Sequence, residues 1–296
     1  MRETAHTSLK VAVGIATVNR PAVLSAAMAQ LAQQTRAPDQ IVLAASTEAD
    51  LGGIEADSTI TILLGAKGLT AQRNRIICSV IDYDLLVFFD DDFLADPHYL
   101  ESIERIFALE ADVVMTTGHV LADGIIGPGI DIETGTAYLC DQKDKPSTRQ
   151  YEVYNGYGCN MAVRMAAIRI YRIFFDENLP LYGWLEDVDF SRRLAEHGRI
   201  VKTEAARGIH LGIKSGRQSG LRTGYSQVAN PIYLIRKGSY DWSPALFLMS
   251  RNLAMNCLRS LRPEPYVDRA GRVAGNARAF VDLFRGRLHP TRVQTL

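Results

Sequence analysis

The chain has 296 residues, 47% hydrophobic and 22% charged, which is enough apolar material for one large domain or a domain with an appendage and excludes a disordered chain. Its 33 Lys and Arg residues balance 33 Asp and Glu, so no global field favours nucleic acid. Charge is local instead: acids concentrate at positions 82–112 and 176–189, bases over 199–237 and from Arg251 onward.

Four cysteines, Cys78, Cys140, Cys159 and Cys257, form no Cys-x-x-Cys pair. That argues against a zinc site and a disulfide framework and fits a reducing cytoplasm. The apolar stretch Val11 to Val18 is short, follows Arg2, Glu3 and Lys10, and runs into Asn19, Arg20 and Pro21, so it reads as a first buried strand rather than a signal-peptide core. No apolar run approaches the roughly 20 residues needed to span a bilayer.

In chain order, Lys10 to Thr17 reads as a strand and Pro21 to Gln33 as a helix. Gln40 to Ala44 and Thr59 to Leu64 read as strands, Leu69 to Val80 as a helix, Leu85 to Asp90 as a strand and Pro97 to Leu109 as a helix. Apolar strands alternating with helical patterns predict a mostly parallel, Rossmann-like sheet with helices on both faces. Glycines multiply from Gly118 to Gly135 and helical periodicity fades, which predicts a loop or irregular hairpin. Around Gly156 Tyr157 Gly158 Cys159 Asn160 small and aromatic residues alternate, suiting close backbone approach to a ligand. A helix is expected from Glu186 to His197, stopped by Gly198. The chain divides into a catalytic domain, residues 1–235, and a basic, amphipathic helical extension, residues 236–296. Trp242 to Leu261 in that extension either packs back on the domain or lies on an anionic membrane surface.

The most informative feature is Asp90 Asp91 Asp92, delivered by Leu85 Leu86 Val87 Phe88 Phe89. Carboxylates this close repel one another, and the carboxyl edge of a buried strand is where open α/β sheets bind ligands. Mg²⁺ or Mn²⁺, held by one or two carboxylates and by substrate phosphates, is the expected occupant. A second acidic cluster, Glu186, Asp187 and Asp189, follows Gly183 and Trp184. At a helix N-terminus these acids complement the dipole, and Asp189 can pair with Arg192 or Arg193. Three acids behind an aromatic also suit catalysis.

The ordered set Thr17 Val18 Asn19 Arg20 Pro21, Gly68 Leu69 Thr70 Ala71 Gln72 Arg73 Asn74, Asp90 Asp91 Asp92, Gly158 Cys159 Asn160 Met161 Ala162, Glu186 Asp187 Val188 Asp189 Phe190 and His210 resembles the family 2 glycosyltransferases of the GT-A fold. That bacterial group builds surface polysaccharides and glycolipids, and the resemblance covers residues 9–237. It implies an inverting, metal-dependent transfer from a nucleotide-diphosphate sugar to a hydroxyl of a glycan or lipid-linked acceptor, and the basic, apolar C-terminal segment is consistent with peripheral membrane contact.

By the same resemblance, Asp92 and His210 hold the metal, Asp90 contacts the donor, and Asp91 is placed with the donor, the metal being its alternative. Thr17, Asn19, Arg73, Asn74, Lys214 and Arg217 are expected on the donor side. Lys214, Arg217 and Arg222 sit in a Gly- and Ser-rich closing loop, residues 212–224. Asp187 is the expected general base with Glu186 as the second choice. Asn160 and Trp184 are expected on the acceptor side, Trp184 stacking on a sugar face or sitting in the core. The acid that follows the second strand in the family and reads the nucleobase is absent: the strand ends Ala44 Ala45 Ser46 Thr47, leaving Glu48 or Asp50 as substitutes for a UDP donor.

Rival classes fit less well. A phosphatase of the haloacid dehalogenase type needs Thr or Val where Leu94 stands. An EF-hand needs glycine at Ala95, and no Gly-x-Gly-x-x-Gly follows the first strand. A glycosyltransferase-like module without turnover is the non-enzymatic alternative.

Overall fold

A computed structural model describes residues 8–142, 144–214 and 219–296. The elements in order are β1 (Val11–Ala16), α1 (Pro21–Leu31), β2 (Gln40–Ala45), β3 (Ile60–Leu64), α2 (Leu69–Ser79), β4 (Leu85–Asp90), β5 (Phe93–Ala95) and α3 (Tyr99–Leu109). They continue with β6 (Val113–Asp123), α4 (Ile132–Cys140), β7 (Gln150–Glu152), β8 (Asn160–Arg164), α5 (Met165–Tyr171), α6 (Glu186–Leu194) and β9 (Arg199–His210). Three helices close the chain: α7 (Gly220–Lys237), α8 (Trp242–Ser260) and α9 (Arg269–Phe284).

One sheet carries the strands in the order β3-β2-β1-β4-β8-β6-β9-β5, with β7 paired to β9. The expected parallel order holds from β1 to β4. Beyond β4 the sheet is mixed, because β8 runs antiparallel to both β4 and β6, and β5 antiparallel to β9. Along β1, Val11, Val13 and Ile15 enter the core with Leu24, Leu31, Ile103 and Phe107, while Ala12 enters the core on the opposite face with Ile76, Ile77 and Phe190. Gly14 lets α2 approach that second face: a Cβ there would sit 2.5 Å from Ile76 Cγ2.

The stretch expected as loop or hairpin is different. β6 runs unbroken to Asp123 through Gly118, where a Cβ would lie 2.5 Å from the Ala206 carbonyl oxygen of the neighbouring β9. Glycine here answers a close approach rather than a turn. From Ile132 the chain is helical, capped by Asp131, whose carboxylate accepts from Thr134 N–H at 2.8 Å. In the C-terminal part, α7 crosses the boundary expected at residue 235. It packs with α8 and α9 around Tyr225, Val228, Met249, Ala279 and Val293. Gly224 and Gly275 allow the α7 and α9 backbones to meet, since a Cβ on either would strike a carbonyl oxygen of the other helix.

Candidate active site

The carboxyl ends of β1 and β4 lie side by side, Ala16 opposite Asp90, so Thr17 and the triple aspartate share one edge of the sheet. Thr17 Oγ1 donates to Asp91 at 2.8 Å, and Arg20 Nη1 reaches Asp91 at 3.0 Å and Asp92 at 3.4 Å. Burial raises the Asp91 carboxyl to about 7 against the pull of Arg20, with the charge of Asp92 adding to the rise.

β9 delivers His210 to the same edge because β5, immediately after the aspartates, pairs with its end, Phe93 opposite His210. Asp90, Asp92 and His210 present ligand atoms all within 4.8 Å of one another. His210 Nε2 lies 3.4 Å from Asp92, while Nδ1 meets Asp123 at 2.8 Å. Tyr157 donates its hydroxyl to Asp123 at 2.9 Å and packs edge-on against the imidazole. Burial opposes charge on His210, but hydrogen bonds to Asp123 and Asp92 and the charges of Asp92 and Asp90 overcome it, raising the imidazole to about 10. Burial likewise opposes charge on Asp92, and His210, Arg20 and the Ile213 N–H hold it below the usual carboxylate range. Two carboxylates and an imidazole oriented by a further carboxylate are a donor set that suits Mn²⁺.

The second acidic cluster opens α6. Glu186 is 5% exposed and accepts from Arg73 Nη1 at 2.6 Å. Burial lifts its carboxyl well above normal, with Arg73 opposing. Asp187 carries no ion pair among the described residues and accepts instead from the N–H groups of Gly158, at 3.1 Å, and Val188, at 2.8 Å. Burial raises it too, against those two N–H groups and the charge of Arg73. Asp189 is structural: fully buried, it binds Lys237, Ser239 and Arg193.

Arg73, expected on the donor side, lies between the two acidic clusters. It is 2% exposed, spans Asp90 at 2.9 Å and Glu186 at 2.6 Å, donates to the Gly158 carbonyl at 2.7 Å, and stacks over Phe88 and Phe175. Its guanidinium therefore joins the two acidic clusters, with Nη1 held by Glu186 and Nη2 by Asp90 and the Gly158 carbonyl. Asn74 is engaged similarly: its amide exchanges hydrogen bonds with the Phe175 backbone and reaches Glu177 at 2.9 Å, fastening that segment to α2. Asn160 is fully buried in β8, accepting from Thr117 Oγ1 at 2.8 Å, and is not exposed to an acceptor.

Other placements are plain. Asn19 is exposed with φ +57°, its N–H held by Asp50 at 2.6 Å. Asp50 also binds the Ser46 and Thr47 N–H groups, so it ties the loop rather than standing open to a base, whereas Glu48 is exposed. Lys214 Nζ donates to the carbonyls of Gly124 and Ile125, each at 2.9 Å. Arg217 lies outside the described residues. Arg222 stands on α7 and binds the Leu296 carbonyl at 3.0 Å. Trp184 is partly buried, and its carbonyl accepts from Asn230 of α7 at 2.7 Å.

The sequence offers no individual role for Arg20 or Asp123, and for Tyr157 and Gly158 only a close backbone approach to a ligand. Arg20 sat within a quoted motif and was open to notice. Asp123 lay in the glycine-rich stretch that offered no period to place it.

No protein-family model matches the chain, and no curated protein matches it in sequence. Solved structures do match. A mannosyltransferase from Pyrobaculum calidifontis, in complex with GDP-Man and Mn²⁺, superposes with TM-score 0.56 at 14% identity over 98% of this chain and 85% of that one. TarS residues 1–349 of S. aureus, in complex with UDP-GlcNAc, gives 0.56 and 14% over 97% and 84%. GalNAc-T7 with UDP, GalNAc and Mn²⁺ gives 0.56 and 13% over 94% of this chain, which spans 58% of that structure's length. The fold is the GT-A fold of glycosyltransferases.

Proposed function

We propose that this protein is an inverting, metal-dependent glycosyltransferase of family 2, a hexosyltransferase-type enzyme. It moves a sugar from a nucleotide-diphosphate donor, UDP first among the candidates, to a hydroxyl of a glycan or lipid-linked acceptor in cell-surface polysaccharide synthesis, from the cytoplasmic side. The observation that carries this reading is the Asp90, Asp92 and His210 cluster joined through Arg73 to Glu186, next to the unpaired Asp187. The similar structures bound to UDP, GDP-Man or UDP-GlcNAc, two of them with Mn²⁺, support it.

Asp92 and His210 would hold Mn²⁺ or Mg²⁺, with Asp90 completing the set and Asp123 and Tyr157 fixing the imidazole. A bound divalent ion supplies Lewis-acid neutralisation of the diphosphate leaving group. Arg20, steadied by Asp91, takes the cationic place first expected of Arg73, and Thr17 and Asn19 border the nucleotide. Lys214, held by the Gly124 and Ile125 carbonyls, borders the phosphates. With the base-reading acid missing and Asp50 engaged, nucleobase selection falls to Ser46, Thr47, Glu48 and the backbone.

Asp187 accepts the acceptor's hydroxyl proton as the new bond from that oxygen to the anomeric carbon forms. The bond from that carbon to the phosphate oxygen breaks from the opposite face. Glu186, neutralised by Arg73, is a poor choice for this proton. Trp184 lines the acceptor side. The deciding experiment is thermal denaturation with a panel of nucleotide sugars and Mn²⁺ or Mg²⁺. One donor should raise the midpoint only when metal is present, and no response to any donor with either metal would sink the reading.

A further inference from the structure

Helix α8 is apolar on two sides. Its inner side buries Ala245, Met249 and Asn256. Its outer side leaves Phe247 71% and Leu258 66% exposed, and Leu261, at the helix end, 81% exposed. At 100° per residue, Phe247, Ala254, Leu258 and Leu261 share one outward arc with Arg251 at its margin. A helix apolar all round is normally covered all round, and an uncovered apolar face of this extent marks an interaction surface.

Charge identifies what covers it. No acid occurs between Asp241 and Glu264, whereas Arg251, Arg259 and Arg262 fall in that interval, all exposed. Residues 236–296 hold eleven Lys and Arg against four Asp and Glu, so this segment is strongly positive and residues 1–235 are negative by the same amount. A second copy of the same face would set cations against cations. Aromatic and aliphatic side chains flanked by arginines match the boundary between head groups and acyl chains of an anionic bilayer. No described helix is long and apolar enough to cross a membrane, so the contact is with the surface.

We infer that the outer face of α8, centred on Phe247 and Leu258, docks this protein on an anionic lipid surface. The position has a use: α8 packs on α7, and α7 Asn230 holds the carbonyl of Trp184, just before the acids of α6. A lipid-linked acceptor would reach the site from the surface on which the enzyme rests. The docking itself does not depend on the transferase reading and is measured without any nucleotide sugar.

The test is co-sedimentation of the full chain with vesicles of phosphatidylcholine alone or mixed with phosphatidylglycerol. Binding is expected to the mixed vesicles only. Phe247→Glu with Leu258→Glu should lower it at least about tenfold, and Arg251→Gln and Arg262→Gln about fivefold each, with thermal midpoints unchanged. If the double glutamate variant fails to fold, the arginine variants and the vesicle charge still decide. No binding, equal binding to neutral and anionic vesicles, or a dimer in sedimentation velocity that the Phe247 substitution splits would each overturn the inference.

Discussion

Arg73 donates to Glu186 across 113 residues of sequence, at 2.6 Å and with both side chains buried. Removing one member of such a pair leaves a charge without its partner in a medium that does not solvate it. Arg73→Met is therefore expected to destabilise the fold by about 3–5 kcal/mol. Arg73→Met combined with Glu186→Leu should be the less damaging change, because no uncompensated buried carboxylate remains in α6. Urea denaturation of the two variants checks this. A double variant weaker than the parent by the sum of the separate Arg73→Met and Glu186→Leu losses would show the pair to be uncoupled.

Asp187 and Asp92 should fail in different ways. Asp187→Asn keeps one of the two backbone hydrogen bonds, because Gly158 and Val188 donate to different carboxylate oxygens and an amide nitrogen cannot accept. It also cannot take a proton, so transfer should fall by about 10² to 10⁴ while donor binding survives. Asp92→Ala should abolish metal-dependent donor binding itself. Isothermal titration with the responding donor, set beside turnover, separates them. Equal loss of affinity in both variants would refute the division of labour.

His210 makes metal-free stability depend on pH. Its folded value, about 10, lies above the ordinary histidine value of 6.5. The stabilisation is thus fully present below about pH 6.5 and is lost as pH rises toward 10. The stability difference between the parent and His210→Gln should shrink across that window in metal-free urea titrations. Mn²⁺ must displace the same proton, so its affinity, followed by electron paramagnetic resonance, should rise with pH. A flat profile in both measurements would contradict the hydrogen bonding seen between His210, Asp92 and Asp123.

The crossing of α7 and α9 offers a prediction independent of chemistry. A methyl group at Gly275 would meet the Leu221 carbonyl oxygen, which is backbone and cannot rotate aside. Gly275→Ala should therefore cost about 1–3 kcal/mol, although alanine is the better helix former. Thermal denaturation tests it, and an unchanged or raised midpoint would mean that the helices separate freely.

The parts of this molecule legible in the sequence are those where one element carries its own signal. β1 and β4 announce themselves as unbroken apolar runs, and the acids at their exits are visible because charge interrupts the run. His210 comes beside Asp92 because β5, which follows Asp92 directly, pairs with the end of β9. Arg73 is expected on the donor side, but its link to Glu186 is not legible: in Arg73 Asn74 Arg75 nothing local says which side chain meets a carboxylate 113 residues away. Asp123 escaped notice because its partner is a histidine 87 residues on. The reversal to antiparallel pairing at β8 is likewise a tertiary matter, since a five-residue strand reads the same in either direction.

Gly158 turns a single residue into a spacer between two reactions' worth of charge. Its N–H holds Asp187 and its carbonyl holds Arg73, while a Cβ would stand only 3.1 Å from Glu186 Oε1. The separation between Asp187 and the Arg73–Glu186 pair is thus set by main-chain geometry, which side-chain rotamers cannot alter. A rotation of the Gly158 backbone would loosen both halves at once, so the two are calibrated together or not at all.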